Sequence, residues 1–361
     1  MLNLPSDIEL LLSIKRVSGK LFYVDEEVVI FTTPSAFLVY DAVNLDDPKF
    51  ELSKNNNMNV CACIRVKNRI FYQDNEGLTA DGDFNYVDLD KREIGDQGES
   101  QYSALIFLKT EGPKGYFKAD SKNLIKLSLN DFSVECSSDR YRRTGMPAVF
   151  DSGICMKSAD TINFFNNDLE LIDSIFSGDL VGSTDNFILR EIASSKNVLI
   201  LWLENGSIIG LDFDTKDILW SVEGFYSKKW AVSEEGVVYT VWKDELVRID
   251  SATGDTTRNK IKSEFLKTEN LQLFQLSASS KHLWCGFIGN GLCAINLSSF
   301  EVDFHEFSGC TVNRKPFISN NRLYIQLISN GIGLDGSDLQ EVVLEGQSGF
   351  ISDGQKKAFY P

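Results

Sequence analysis

The chain has 361 residues, 43% of them hydrophobic and 11% aromatic, and its 52 acidic against 36 basic residues give a net charge of −16. That much apolar material excludes a disordered chain and supports a sizeable core. An acidic field repels nucleic-acid phosphate and anionic lipid, which excludes both as expected partners, and it attracts a basic protein.

In chain order, residues 1–19 hold one short apolar run, Leu10-Leu11-Leu12, with Asp7 and Glu9 beside it and no basic residue before it. A secretory signal needs a positive start and a longer apolar centre, so none is predicted. Val198 to Leu203, the longest compact apolar stretch, is far too short for a membrane-spanning helix. The expected location is cytoplasmic. Seven cysteines leave at least one unpaired, as a reducing compartment allows. Cys61 and Cys63 have no second Cys pair or nearby His to complete four ligands, so no metal is expected.

Short strands then follow one plan through the whole chain. The first unit reads Lys20 to Val24, Val28 to Thr32, Phe37 to Ala42 and Phe50 to Leu52. Third-strand landmarks continue at Leu78 to Ala80, Leu124 to Leu127, Ile162 to Phe165, Ile208 to Leu211, Leu246 to Ile249, Leu292 to Ile295 and Ile332 to Leu334. They recur about every 42 residues, the period of a four-stranded propeller blade. The last unit reads Pro316 to Ile318, Leu323 to Leu327, Gly331 to Leu334 and Glu341 to Leu344. Ile8 to Ile14 is a lone strand, and pairing it with the C-terminal end would close a ring and remove two exposed edges. No linker rich in Pro or Gly divides the chain, and no stretch sustains a helical period. The expectation is one all-β domain over 1–361, a single β-propeller of four-stranded antiparallel blades closed by strands from both termini. Eight blades are favoured, with seven as the rival.

Two units carry the clearest signature. One runs Asn205-Gly206-Ser207-Ile208-Ile209-Gly210-Leu211-Asp212, then Thr215 and Leu219-Trp220; the other runs Leu246-Val247-Arg248-Ile249-Asp250, then Thr253-Gly254-Asp255. A strand ending in Asp, a turn carrying Thr and a return strand resemble the repeat of the PQQ-like (quinoprotein-dehydrogenase-like) propellers, or a WD40-like repeat. Leu124 to Leu129 lacks the Asp, and Thr161 to Asn166 lacks both Asp and Gly. The resemblance implies architecture alone, because unrelated activities share this platform. The quinone enzymes of that family carry an export signal, adjacent cysteines and calcium-binding carboxylates. Without a signal or adjacent cysteines here, no cofactor is expected.

Chemical motifs are few. Gly331-x-Gly333-x-x-Gly336 matches a dinucleotide loop in letters, but a strand-like stretch follows it where a helix is required. Asp212 to Glu223 has a calcium-loop spacing spoiled by Lys216 at a ligand position and Asp217 at the turn glycine. His282 and His305, the only histidines, occupy ordinary strand positions. The catalytic residues are therefore unknown.

Three polar stretches break the blade pattern and are the binding candidates. Val87 to Gln101 reads as an acidic connection with Asp88, Asp90, Glu93, Asp96 and Glu99. Arg140, Tyr141, Arg142 and Arg143 form a basic aromatic cluster. Tyr226, Lys228, Lys229 and Trp230 set aromatics beside lysines. Tyr, Trp and Arg anchor interfaces, which favours a non-enzymatic protein-binding propeller: a scaffold, or an immunity-type partner that neutralises a basic protein. The alternative is a hydrolase or lyase acting on a glycan with carboxylates in the central channel. No pattern sets an oligomeric state.

Overall fold

A computed structural model describes residues 9–17, 20–25, 27–33, 35–42, 47–53, 59–75, 82–100, 105–119, 123–141, 145–182, 189–224, 229–233, 235–242, 244–263, 273–278, 281–288, 291–306, 310–312, 317–319, 322–329 and 339–347. Among them every element but a 3-10 turn at Asp179–Val181 is a strand.

After β1 (Glu9–Val17), seven sheets each take four consecutive antiparallel strands. Sheet one holds β2 (Lys20–Val24), β3 (Val28–Thr32), β4 (Ala36–Asp41) and β5 (Phe50–Ser53). Sheet two holds β6 (Asn59–Val66), β7 (Arg69–Asn75), β8 (Gly82–Asp88) and β9 (Glu93–Ser100). Sheet three holds β10 (Ile106–Glu111), β11 (Lys114–Lys118), β12 (Leu124–Ser128) and β13 (Val134–Ser137). Sheet four holds β14 (Ala148–Val149), β15 (Gly153–Ser158), β16 (Thr161–Asn166) and β17 (Leu171–Phe176). Sheet five holds β18 (Leu189–Ser195), β19 (Val198–Leu203), β20 (Ile208–Asp212) and β21 (Ile218–Val222). Sheet six holds β22 (Trp230–Val232), β23 (Val237–Trp242), β24 (Glu245–Asp250) and β25 (Thr256–Lys260). Sheet seven holds β26 (Leu273–Ala278), β27 (His282–Phe287), β28 (Gly291–Asn296) and β29 (Val302–Glu306).

Sheet eight has five strands. Both β30 (Cys310–Val312) and β31 (Phe317–Ser319) pair with β32 (Arg322–Ser329), which pairs with β33 (Leu339–Gln347). Strand β1 completes it, antiparallel to β33 with Leu10 opposite Gly346 and Arg16 opposite Val342. The first and last described strands thus share one sheet, and each covers the edge the other would leave open.

Two units differ from the expected strand plan. In sheet two the third strand is β8, and Leu78 to Ala80 lie outside the described residues. The acidic stretch from Val87 is the end of β8, a turn and then β9, where a connection was expected. A fourth strand has water along its free edge, so it tolerates carboxylates that an inner strand would exclude, and its polarity resembles that of a loop. In sheet eight, Gly331 to Leu334 lie outside the described residues, β33 takes the third place and β1 the fourth.

The described residues group into two compact units, one within 1–33, 37–51 and 225–356, the other within 34–36 and 52–224. In each, the core lies between the faces of consecutive sheets. Ile64, Phe71 and Phe84 of sheet two pack with Phe117, Ile125 and Leu127 of sheet three. Ile162 and Phe164 of sheet four pack with Leu199, Ile209 and Phe213 of sheet five. In the other unit, Tyr239 and Leu246 of sheet six pack with Leu276, Leu283 and Ile295 of sheet seven. Strand β19 is covered on both faces, which is why it reads Val-Leu-Ile-Leu-Trp-Leu with all six residues buried.

A polar device repeats at the end of the third strand. Oδ1 of Asp212 accepts the N–H groups of Asp214 and Thr215 at 2.9 and 2.8 Å. Asp88, Asp250 and Asn296 do the same for their own turns, Asn166 accepts from the N–H groups two and four residues on, and Ser128 caps more weakly with one bond of 3.4 Å. Each turn also holds a left-handed residue: Arg92, Phe132, Leu169, Lys216, Gly254 or Phe300. Only sheet six places glycine there. The signature legible in two units is therefore a side-chain cap operating in six, met by Asn or Ser where the sequence lacks Asp.

Candidate interaction surface

The acidic hairpin divides into inner and outer carboxylates. Asp88 is buried, takes the two turn N–H groups above and pairs with Arg69 Nε at 3.1 Å. The Lys91 N–H, opposed by burial and joined by Arg69, holds its pKa below the usual carboxylate range. Asp88 is thus committed to the turn. Asp90, Glu93 and Asp96 are exposed; Asp90 accepts from the Asn68 side chain, and Glu93 pairs with Lys91 at 3.4 Å. Glu99 stands opposite Asp83 in the ladder.

The basic aromatic cluster separates too. Arg140 is exposed, while the Tyr141 ring meets Phe165 edge-on at 5.6 Å and packs on a core of Tyr116, Leu124, Ile154 and Met156. Burial, with Asp139 nearby, raises the Tyr141 pKa. Arg142 and Arg143 lie outside the described residues, as do Tyr226 and Lys228. Lys229 is half-buried, and its carbonyl accepts from Thr240 Oγ1 at 2.8 Å. Trp230 is 7% exposed and begins β22 opposite Thr240, a buried position in the first strand of sheet six.

Lysines tie neighbouring sheets together. From sheet three, Lys109 Nζ donates to the Phe150 carbonyl at 2.6 Å and to Asn167 Oδ1 at 2.7 Å. Lys126, 3% exposed, donates to the Asn167 carbonyl and to Asp168 Oδ1, each at 2.9 Å. Burial opposes its charge, yet the bonds to Asp168 and Tyr116 prevail and raise its pKa. Tyr116 Oη shares its proton between Glu111 Oε2 at 2.5 Å and the Asn167 carbonyl at 2.9 Å, and burial with the Glu111 bond raises it to about 12. Lys157 of sheet four donates to the Leu189 and Arg190 carbonyls of sheet five at 2.8 and 2.5 Å. These ammonium groups are directed at backbone acceptors of the next sheet and act as staples.

The outermost strands carry a feature no local motif announces. In four sheets an extra residue enters the fourth strand beside the last pairs of the third. Lys126 faces Cys136 and Leu127 faces Val134, leaving Glu135; Ala294 faces Phe304 and Ile295 faces Val302, leaving Asp303. Both carboxylates pair within the protein, Glu135 with Lys114 at 3.3 Å and Asp303 with His282 at 2.9 Å. In sheets four and five the extra residues are Ile172 and Leu219, 52% and 46% exposed, each preceded by an equally exposed aliphatic, Leu171 or Ile218. These four are among only six exposed large hydrophobics in the described residues. A signal for them existed: two adjacent aliphatics just after the cap turn break the strand alternation that a regular half-buried strand keeps.

No group of three or more His, Cys, Asp or Glu that could hold a metal occurs among the described residues. No protein-family model matches the chain. No curated protein matches it in sequence. Solved structures do. BamB from Moraxella catarrhalis superposes with a TM-score of 0.62 at 12% identity, over 94% of this chain and 99% of that one. The fold is a β-propeller. The computationally designed protein Ika8 gives a TM-score of 0.64 at 12% identity over 93% of this propeller and 99% of its own chain. Sqt1 from Saccharomyces cerevisiae gives 0.59 at 12% identity over 96% and 100%. At such identities the likeness speaks for fold alone.

Proposed function

We propose that this propeller works by binding another protein, that the partner is basic, and that the encounter takes place in the cytoplasm. The partner is either assembled on the propeller as a scaffold or capped and neutralised by it, as an immunity-type protein neutralises a basic toxin or enzyme. The observation that carries the reading is the hairpin of β8 and β9. Asp88 is committed inside while Asp90, Glu93 and Asp96 are presented to solvent, in a chain of net charge −16. Such a field speeds encounter with a basic surface and weakens as salt screens it.

The test replaces Asp90, Glu93 and Asp96 by Lys and compares capture from a lysate of the source cell at low and moderate salt, with retained proteins identified by mass spectrometry. Wild type retains a basic protein at low salt and releases it as salt rises, and the triple variant retains about tenfold less. Equal retention by both proteins at each salt concentration contradicts the reading.

A further inference from the structure

The same bulge carries a carboxylate with an internal partner in sheets three and seven, and an exposed aliphatic pair in sheets four and five. The difference is local and repeated. Glu135 and Asp303 serve the fold through Lys114 and His282, whereas Leu171, Ile172, Ile218 and Leu219 leave half their surface in water. Scattered exposed aliphatics need no explanation, but four at matching ladder positions of adjacent sheets do.

The two pairs also belong to the same rim of their unit. Each follows the turn between third and fourth strands, and sheets four and five share a core through Phe164 and Phe213. At that rim Ser152 Oγ of sheet four donates to Asp214 Oδ1 in the turn of sheet five at 3.2 Å. Lys216 of the same turn lies over the Phe164 and Phe213 rings at 4.5 and 4.7 Å, half-buried between the sheets. Next to the aliphatics the exposed charged side chains are acidic: Glu170 and Asp173 beside one pair, Asp217 beside the other. An apolar centre with a charged rim is how interfaces are built, and the fully exposed charges of this rim have one sign.

We infer that the twin aliphatic bulges of sheets four and five form a docking face for a basic protein segment bearing aliphatic side chains. Its aliphatics would cover Leu171, Ile172, Ile218 and Leu219 while its lysines or arginines meet Glu170, Asp173 and Asp217. This site rests on the proposal of a basic protein partner and gives that partner its apolar anchor.

The test uses the full chain and two synthetic peptides, one alternating Lys with Leu and one alternating Lys with Ser. The variants are L171S/I172S/I218S/L219S and, separately, the Lys replacements at Asp90, Glu93 and Asp96; the thermal midpoint verifies folding of each. The Lys-Leu peptide binds wild type about tenfold tighter than the Lys-Ser peptide, and the four-serine variant loses that difference. Unchanged Lys-Leu binding to the four-serine variant overturns the site. If the binding is instead lost in the β9 variant, the basic-partner reading survives without this face. Binding of neither peptide overturns both. A concentration-dependent dimer of wild type that the four-serine variant abolishes gives the face to a second copy and overturns the inference.

Discussion

Asp212 joins two strands with a single oxygen, because its Oδ1 closes the turn that returns the chain from β20 to β21. The Thr215 N–H, ahead of opposing burial and the Asp214 N–H, keeps its pKa below the usual carboxylate range. A carboxylate whose folded pKa is depressed adds stability above its unfolded value, near about 4, and loses it as pH falls through the folded value. Asn296 makes the same two bonds without titrating. Asp212→Asn should therefore leave stability at pH 7 nearly unchanged and flatten the acid side of the stability curve. Asp212→Ala, with both bonds lost, should cost about 1–2 kcal/mol at pH 7. Urea unfolding between pH 7 and pH 3 measures both, and an unaltered acid limb in the Asn variant contradicts the assignment. Asp88 shares the direction of shift and adds an ion pair with Arg69, so it belongs to the same acid-sensitive set.

Individual strands separate fold from function by their place in the sheet. Trp230, on the first strand of sheet six, is buried, whereas Leu219, on the fourth strand of sheet five, is half exposed. Trp230→Ala should cost about 3–5 kcal/mol, the range for emptying a large core side chain. Leu219→Ser should stay within about 0.5 kcal/mol. Denaturant titration of the two single variants measures the contrast, and a large cost at Leu219 would make its bulge a packing feature. This contrast also marks how far sequence reached. Period-two strands at a steady spacing, and the Asp-x-x-Thr turns at Asp212 and Asp250, were legible because they depend on neighbours in the chain. Trp230 looked like an interface anchor because it follows Lys228 and Lys229; only the ladder to Thr240 places it inside. Tyr141 was legible as an aromatic beside arginines, and its contact with Phe165 comes from the next sheet. The bulges were hidden for the same reason: an extra residue is defined by its partner strand, and no single strand records it.

For the molecule as a whole, charge and topology act on different problems. Pairing β1 with β33 joins the first and last described strands and removes an edge that a linear repeat would expose. Net charge of −16 supplies long-range attraction for a basic partner, and attraction alone gives little specificity. The aliphatic pairs of sheets four and five supply the short-range half, where water is excluded and affinity is set. Photo-crosslinking in the source cell tests whether this face meets a basic protein, with a photoreactive residue placed at 172, at 219 or, as a control, at 258 on the fourth strand of sheet six. One basic protein should be joined from both 172 and 219, and not from 258. Crosslinks from neither position, or the same products from all three, would contradict it.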